Sequence, residues 1–209
     1  MAAILFLYPK VMPIMRDTMP IMYVFAGNNG SGKSTIRNLI VDQLGLSINI
    51  DPDALARGMD SYHPERRKVS AGKEAIKLAR DCIQNSRNFS IETTLAGGNA
   101  IRLMQDAKVS GYEVTMFYVG LGDYRLNIER VAARVKNGGH HIPTEDIIRR
   151  HDTSIGNLLS YLHLIDHLIV IDNSHIEGKI ILGSDNGSIT YRLDSIPQWG
   201  ERIEQRFQT

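Results

Sequence analysis

The chain has 209 residues, 43% hydrophobic and 22% charged, a balance that supports an ordinary packed core and suits one α/β domain with small additions. Its 24 basic and 23 acidic residues leave a net charge of +1, which argues against broad electrostatic capture of nucleic acid or of a membrane surface. The single cysteine, Cys82, excludes an internal disulfide and a cysteine-based zinc site, and it fits a reducing cytoplasm.

Residues 1–18 open with Met-Ala-Ala-Ile-Leu-Phe-Leu-Tyr, and Met12, Met15 and Met19 follow closely. The stretch lacks the basic start and small-residue cleavage site of a signal peptide. No apolar run in the chain approaches the ~20 residues of a membrane span. Residues 1–18 read as an extension ahead of the domain, or as upstream sequence ahead of the native start, with no function of their own.

The run Ile21-Met22-Tyr23-Val24-Phe25-Ala26 predicts a buried parallel strand. Gly27-Asn28-Asn29-Gly30-Ser31-Gly32-Lys33-Ser34-Thr35 follows and fits the phosphate-loop pattern G-x-x-x-x-G-K-[ST]. Ile36, Leu39, Ile40 and Leu44 then recur at helical spacing. This strand–loop–helix order is the context the pattern needs.

Residues 47–51 read as a short strand ending in an acid, followed by Pro52 and Asp53. Residues 64–86 predict a helix with Val69, Ala75, Ile76, Ala79 and Ile83 as its apolar positions. Residues 89–94 are strand-like. Gly97-Gly98 opens a helix to about Val109, with Gly111 as its cap. Residues 112–119 predict a β-branched and aromatic strand. Asp123 caps a helix to Lys136, and 137–143 is a loop rich in breakers. Thr144 is the expected cap of the next helix, whose Ile148, His151, Ile155, Leu158, Leu162 and Ile165 share one face. Residues 168–172 form a fifth strand.

This alternation predicts an α/β fold of the P-loop NTPase type over residues 19–174, a parallel five-stranded sheet with helices on both faces. Beyond it, 179–182 and 188–191 flank Asp185-Asn186-Gly187, a hairpin signal. Residues 175–209 are expected to form a C-terminal hairpin and tail packed on the same domain.

Glycines let the phosphate loop turn its N–H groups inward around an anion without Cβ clashes, and the helix N-terminus adds positive potential. Gly27 to Thr35 would cradle nucleotide phosphates. Lys33 would reach the β- and γ-phosphates, and the Ser34 hydroxyl would ligate Mg²⁺. Ligands of an open α/β sheet lie beyond the carboxyl ends of its strands. The acids and hydroxyls at those ends are Asp51, Asp53, Glu92, Thr94, Asp123 and Asp172.

A carboxylate after the second strand can reach a hydroxyl that attacks the γ-phosphate, which singles out Asp51 and Asp53. The competing roles are a helix cap after Pro52 for Asp53 and a strand-end turn for Asp51. Glu92 sits in a strand-like run although Glu is disfavoured there, with a solvent-facing position as the alternative. Asp123 and Asp172 read better as a cap and a turn residue. Arg130 and Arg134 stack on one helix face with no acid three or four positions away. A triphosphate would be their partner, with solvated arginines as the alternative. Arg149 and Arg150 have Glu145, Asp146 and Asp152 within pairing reach. His140 and His141 suit a lid closing over phosphates better than a metal pair, for which no third ligand is evident.

These pieces together resemble the zeta toxin family of P-loop kinases in its short, stand-alone form. The matching segments are the phosphate loop at 27–35, Asn49-Ile-Asp-Pro-Asp53, Ile91-Glu-Thr-Thr-Leu95, Glu129-Arg-Val-Ala-Ala-Arg-Val135, Gly138-Gly-His-His-Ile-Pro143 and Asp172-Asn-Ser174. They occur in family order across about residues 20–174. The resemblance implies an adenylate-kinase-like sheet with a lid. It implies ATP-dependent phosphorylation of the sugar 3′-hydroxyl of UDP-N-acetylglucosamine, and the toxin role in a toxin–antitoxin pair, with an antitoxin protein as partner. By the resemblance the catalytic base falls on Asp53, and substrate contacts fall on Glu92 and Thr94 with Asp51 beside them. An arginine after the fourth strand falls on Arg134. A second arginine of the larger toxins falls near His140, so His140 and Arg150 are both candidates for the second phosphate contact.

The leading expectation is a cytoplasmic small-molecule kinase using MgATP. One rival is a kinase of the same fold acting on another hydroxyl compound. A second is a nucleotide switch, though the guanine motif [N/T]-K-x-D is absent from the sequence. A third is a binding module without phosphotransfer, against which Lys33, Ser34 and Asp53 argue.

Overall fold

The computed structural model describes residues 19–208, so the extension at 1–18 lies outside it. In chain order it contains β1 (Ile21–Ala26), α1 (Lys33–Ile40), β2 (Asn49–Ile50), α2 (Pro52–Met59), α3 (Lys68–Gln84) and β3 (Phe89–Thr93). There follow α4 (Gly98–Val109), β4 (Glu113–Gly120), α5 (Tyr124–Lys136), α6 (Thr144–Ser160) and β5 (His167–Asp172). The chain closes with β6 (Lys179–Asp185), β7 (Ser188–Arg192) and α7 (Gln198–Glu204).

β1 is buried along its whole length because both faces of the sheet are covered. Its side chains alternate between two cores, as a strand's period of two requires. Met22, Val24 and Ala26 enter the core that α3, α4, α6 and α7 complete. Ile21, Tyr23 and Phe25 enter the other, which α1 closes with Ile36 and Ile40. Phe25 stacks on Phe117 there at 4.9 Å between ring centroids.

The sheet order is β2-β3-β1-β4-β5-β6-β7. The first five strands pair in parallel, as the sequence predicts. The hairpin corrects that expectation in one respect. β6 pairs antiparallel with β5, and β7 with β6, so the hairpin extends the same sheet to seven strands. Its turn places Asn186 at φ 46° and Gly187 at φ 78°, the two left-handed residues of a tight hairpin. Trp199 of α7 then covers the end of β4. A Cβ on Gly120 would lie 2.4 Å from the Trp199 ring.

Three local expectations change. Val69 is 74% exposed, and Ala71 takes the inward position with Ala75, Ala79, Cys82 and Ile83. Ile148 is exposed while Ile147 is buried against Val131 and Ile142. Thr144 begins α6 rather than capping it, because Pro143 holds the cap position, and Leu162 and Ile165 lie beyond the helix end. Asp123 does cap α5, accepting from the Arg125 amide at 2.8 Å. Among the described residues no helix is long and apolar enough to cross a membrane.

Candidate active site

The phosphate loop leaves β1 at the centre of the sheet and turns directly into α1. Gly27 has φ +143°, and a Cβ there would lie 2.2 Å from the Val119 carbonyl oxygen. Gly32 has φ +92°, and a Cβ would meet the Asn173 amide nitrogen at 2.3 Å. Only glycine satisfies both the conformation and the space at these positions. We expect Gly27→Ala to cost about 1–3 kcal/mol of stability and to weaken nucleotide binding. Thermal melts with and without nucleotide check this, and an unshifted melting temperature would contradict the packing described.

Side-chain amides hold the loop from outside. Asn127 donates to the Asn29 carbonyl and Asn173 to the Ser31 carbonyl, each at 2.8 Å. Asn28 donates to the Ile147 carbonyl at 2.9 Å, while its own Oδ1 accepts from the Asn29 amide at 2.8 Å. Arg150 donates to Asn29 Oδ1 at 2.9 Å and pairs with Asp146 at 3.0 Å. These bonds tie α5, α6 and the segment after β5 to one loop.

A cleft of about 580 Å³ opens before the loop, lined by Lys33, Ser34, Thr35, Arg130 and Arg134 among others. A concavity of about 270 Å³ adjoins it beside Asp51, Glu92, Thr94 and Arg150. A third, of about 760 Å³, lies between Arg57, Tyr62, Arg134, His140 and His141. Among the described residues Asp53 is the one that lines all three. It is exposed, and its carboxylate is left unpaired among the described residues.

Asp51 shares the cleft and the smaller concavity with Asp53 but differs in burial and in its partners. It is buried, and its Oδ1 caps α2 by accepting from the Asp53 and Ala54 amides at 2.9 and 3.2 Å. Its Oδ2 lies 3.3 Å from Arg37 Nη1. The cap offered to Asp53 by the sequence therefore belongs to Asp51, and Asp53 stands in the first turn with its carboxylate toward the cleft.

Glu92 is turned into the site instead of toward solvent. Its Oε1 accepts from the Ser34 hydroxyl at 2.7 Å and lies 3.8 Å from Lys33 Nζ, and its Oε2 lies 3.1 Å from Arg37 Nη1. Burial pushes the Lys33 ammonium below the usual lysine value, against the raising influence of Glu92 and Asp53. The Ser34 hydroxyl and Glu92 carboxylate are hard oxygen donors. They fit Mg²⁺, which takes one or two protein ligands and leaves the rest to water and phosphate.

Thr94 lines the smaller concavity, and its hydroxyl accepts from the Ala96 amide at 3.4 Å. The turn after it holds Leu95 at φ 55°, pinned by Asn157 donating to the Leu95 carbonyl at 2.8 Å. Arg134 donates to the His140 carbonyl at 3.1 Å and so ties the 137–143 loop to α5. Arg130 donates to the Asn173 carbonyl at 2.8 Å. Arg149 pairs with Asp146 on the surface, away from these contacts. Among the described residues no group of three or more His, Cys, Asp and Glu gathers to hold a metal.

Sequence reasoning passed over Arg37 and Asn127, and named Asn173 only within the matching segment Asp172-Asn-Ser174. Arg37 lies four residues after Lys33 and so shares its helix face. Asn127 lies three before Arg130, on the face that Arg130 and Arg134 continue. That repeat is the signal that could have found it.

Residues 9–178 match the protein family described as zeta toxin. A Haemophilus influenzae protein described as "Uncharacterized protein" is 38% identical over 125 residues, covering 60% of this chain and 87% of that one. A structure from the PezAT chromosomal toxin-antitoxin system of Streptococcus pneumoniae aligns with a TM-score of 0.56 at 18% identity, covering 99% of this chain and 92% of that chain. The AvrRxo1-ORF1:-ORF2 structure with ATP aligns with a TM-score of 0.66 at 12% identity, covering 91% of this chain. This chain spans 64% of that longer one. At these identities the two structures show a shared fold alone.

Proposed function

Because the chain belongs to the zeta toxin family, we propose that it is an ATP-dependent kinase that phosphorylates a sugar hydroxyl of UDP-N-acetylglucosamine, as the toxin of a toxin–antitoxin pair. The observation that carries the reading is the unpaired Asp53 carboxylate, common to the phosphate cleft and both concavities beside it. A phosphate loop alone binds nucleotide. A free carboxylate facing that loop adds a group able to take a proton from an acceptor hydroxyl.

In this reading the loop N–H groups and Lys33 bind the β- and γ-phosphates. Asp53 takes the acceptor proton, the acceptor oxygen bonds to the γ-phosphorus, and the bond to the β–γ bridging oxygen breaks to release ADP. Ser34, with Glu92 behind it, would hold Mg²⁺, which would supply charge neutralisation to the phosphates when bound. Arg134 faces the same cleft and meets the charge that develops on the transferred group. Thr94 and Glu92 border the concavity where the acceptor would lie.

The test is incubation of the protein with MgATP and UDP-N-acetylglucosamine, followed by mass spectrometry for a product heavier by one phosphoryl group. Product on another nucleotide sugar or small alcohol alone would keep the kinase and overturn the acceptor. The toxin role requires that production of the wild-type chain, and not of Lys33→Ala, arrest a host cell's growth. Arg134→Ala should slow transfer by about 10³-fold while changing ATP affinity far less. Arg130→Ala should do less, since the family resemblance singles out position 134. Equal, mild losses in turnover assays of both would reduce these arginines to surface charge.

A further inference from the structure

We infer that Arg37 is a positioning residue for the phosphoryl transfer, an inference that rests on the kinase reading above. Arg37 lies on α1, one turn beyond Lys33, with its side chain 15% exposed. Its Nη1 sits between two carboxylates, 3.3 Å from Asp51 Oδ2 and 3.1 Å from Glu92 Oε2. The far edge of its guanidinium is held by Asn38 Oδ1, at 3.3 Å from Nε and 3.1 Å from Nη2. A lysine's single ammonium could not keep this planar arrangement.

Each of the two acids has its other oxygen committed to the site. Asp51 uses Oδ1 for the Asp53 and Ala54 amides, which fixes the first turn of α2 and with it the backbone that carries Asp53. Glu92 uses Oε1 for the Ser34 hydroxyl. One cation therefore sets two carboxylates that in turn set Asp53 and Ser34. Arg37 also balances negative charge beside a cleft that must admit a polyphosphate. Without it Asp51 and Glu92 would lose the cation that lies between them.

Positioning predicts a loss in turnover without a matching loss in nucleotide binding. A misplacement of about 1 Å costs on the order of 100-fold in rate. Arg37→Met should lower kcat for acceptor phosphorylation by roughly that factor, with the nucleotide Kd changed less than about threefold. Arg37→Lys should recover part of kcat, because the charge returns without the fork. Rates are measured below the melting temperature of each variant, and nucleotide binding by calorimetry with a non-hydrolysable ATP analogue.

A fall in nucleotide affinity as large as the fall in kcat would make Arg37 a phosphate contact and overturn the proposal. Wild-type kcat in Arg37→Met would overturn it too. Wild type is the control on the kinase reading, which fails if no acceptor is phosphorylated. The positioning of α2 is then read separately, from amide hydrogen exchange in the nucleotide-free protein. Faster exchange in Arg37→Met confined to Asp53 and Ala54 supports it, and unchanged exchange there overturns it.

Discussion

Asp53→Asn should lower acceptor phosphorylation by about 10²–10⁴-fold, the range that general-base catalysis contributes. The substitution keeps size and shape and removes the proton-accepting charge. Among the described residues Asp53 accepts no hydrogen bond through its carboxylate, and the cap of α2 rests on Asp51. The melting temperature and the affinity for nucleotide should therefore stay close to wild type. Asp51→Asn should instead lose stability chiefly through the Arg37 pair, since an asparagine oxygen still caps α2. Single-turnover assays beside thermal melts separate the two. If Asp53→Asn makes product at the wild-type rate, the base lies elsewhere.

Lys33→Ala should reduce transfer by roughly 10³-fold or more, the scale lost when a preorganised charge on developing phosphoryl charge is removed. The fold should persist, because Arg37 still balances Glu92 once Lys33 is gone. A folded variant that turns over ATP and acceptor at full rate would end the kinase reading. The lysine also carries a pH signature. In the unfolded chain it keeps its proton up to the usual value of 10.5, and burial lowers that value in the fold. Between the two values the unfolded chain binds the extra proton, so this group's contribution to stability rises with pH there. Below the lowered value the folded protein carries the full cost of the buried ammonium. Wild type should therefore gain stability relative to Lys33→Met as pH climbs from neutral toward 10.5, the usual lysine value. Denaturation curves that stay parallel would contradict the burial argument.

Much of this frame was legible in residue patterns. The apolar run at 21–26 read as a buried strand, and the nine residues after it fitted a phosphate loop opening a helix better than a plain glycine turn. Asp-Asn-Gly at 185–187 marked the hairpin turn because its geometry demands left-handed residues. The joining of that hairpin to β5 was not legible, since the pairing of β6 with β5 across residues 173–178 has no local signature. Ile147 and Ile148 are neighbours of equal hydrophobicity, so periodicity alone could not choose which one packs with Val131 and Ile142. At the site, the loop, Asp53 and Glu92 stood out by residue type and place. Arg37 did not, because its meaning lies in carboxylates 14 and 55 positions away (51 − 37 and 92 − 37). Asn127 was hidden for a similar reason: a buried amide inside a helix is explained only by the carbonyl it meets on a distant loop.

The amide braces around the phosphate loop carry an energetic consequence for the moment of binding. Asn28, Asn127 and Asn173 are neutral, so they fix the loop without cancelling the positive potential its N–H groups present. The conformational entropy of ordering nine residues is lost once, during folding, and not again when a nucleotide arrives. Association is then left with the ligand's own translational and rotational entropy and the release of its hydration shell. Such a cradle is preorganised. Nucleotide uptake should show a small heat-capacity change and little change in amide protection along the loop, in contrast to a loop that orders around its ligand.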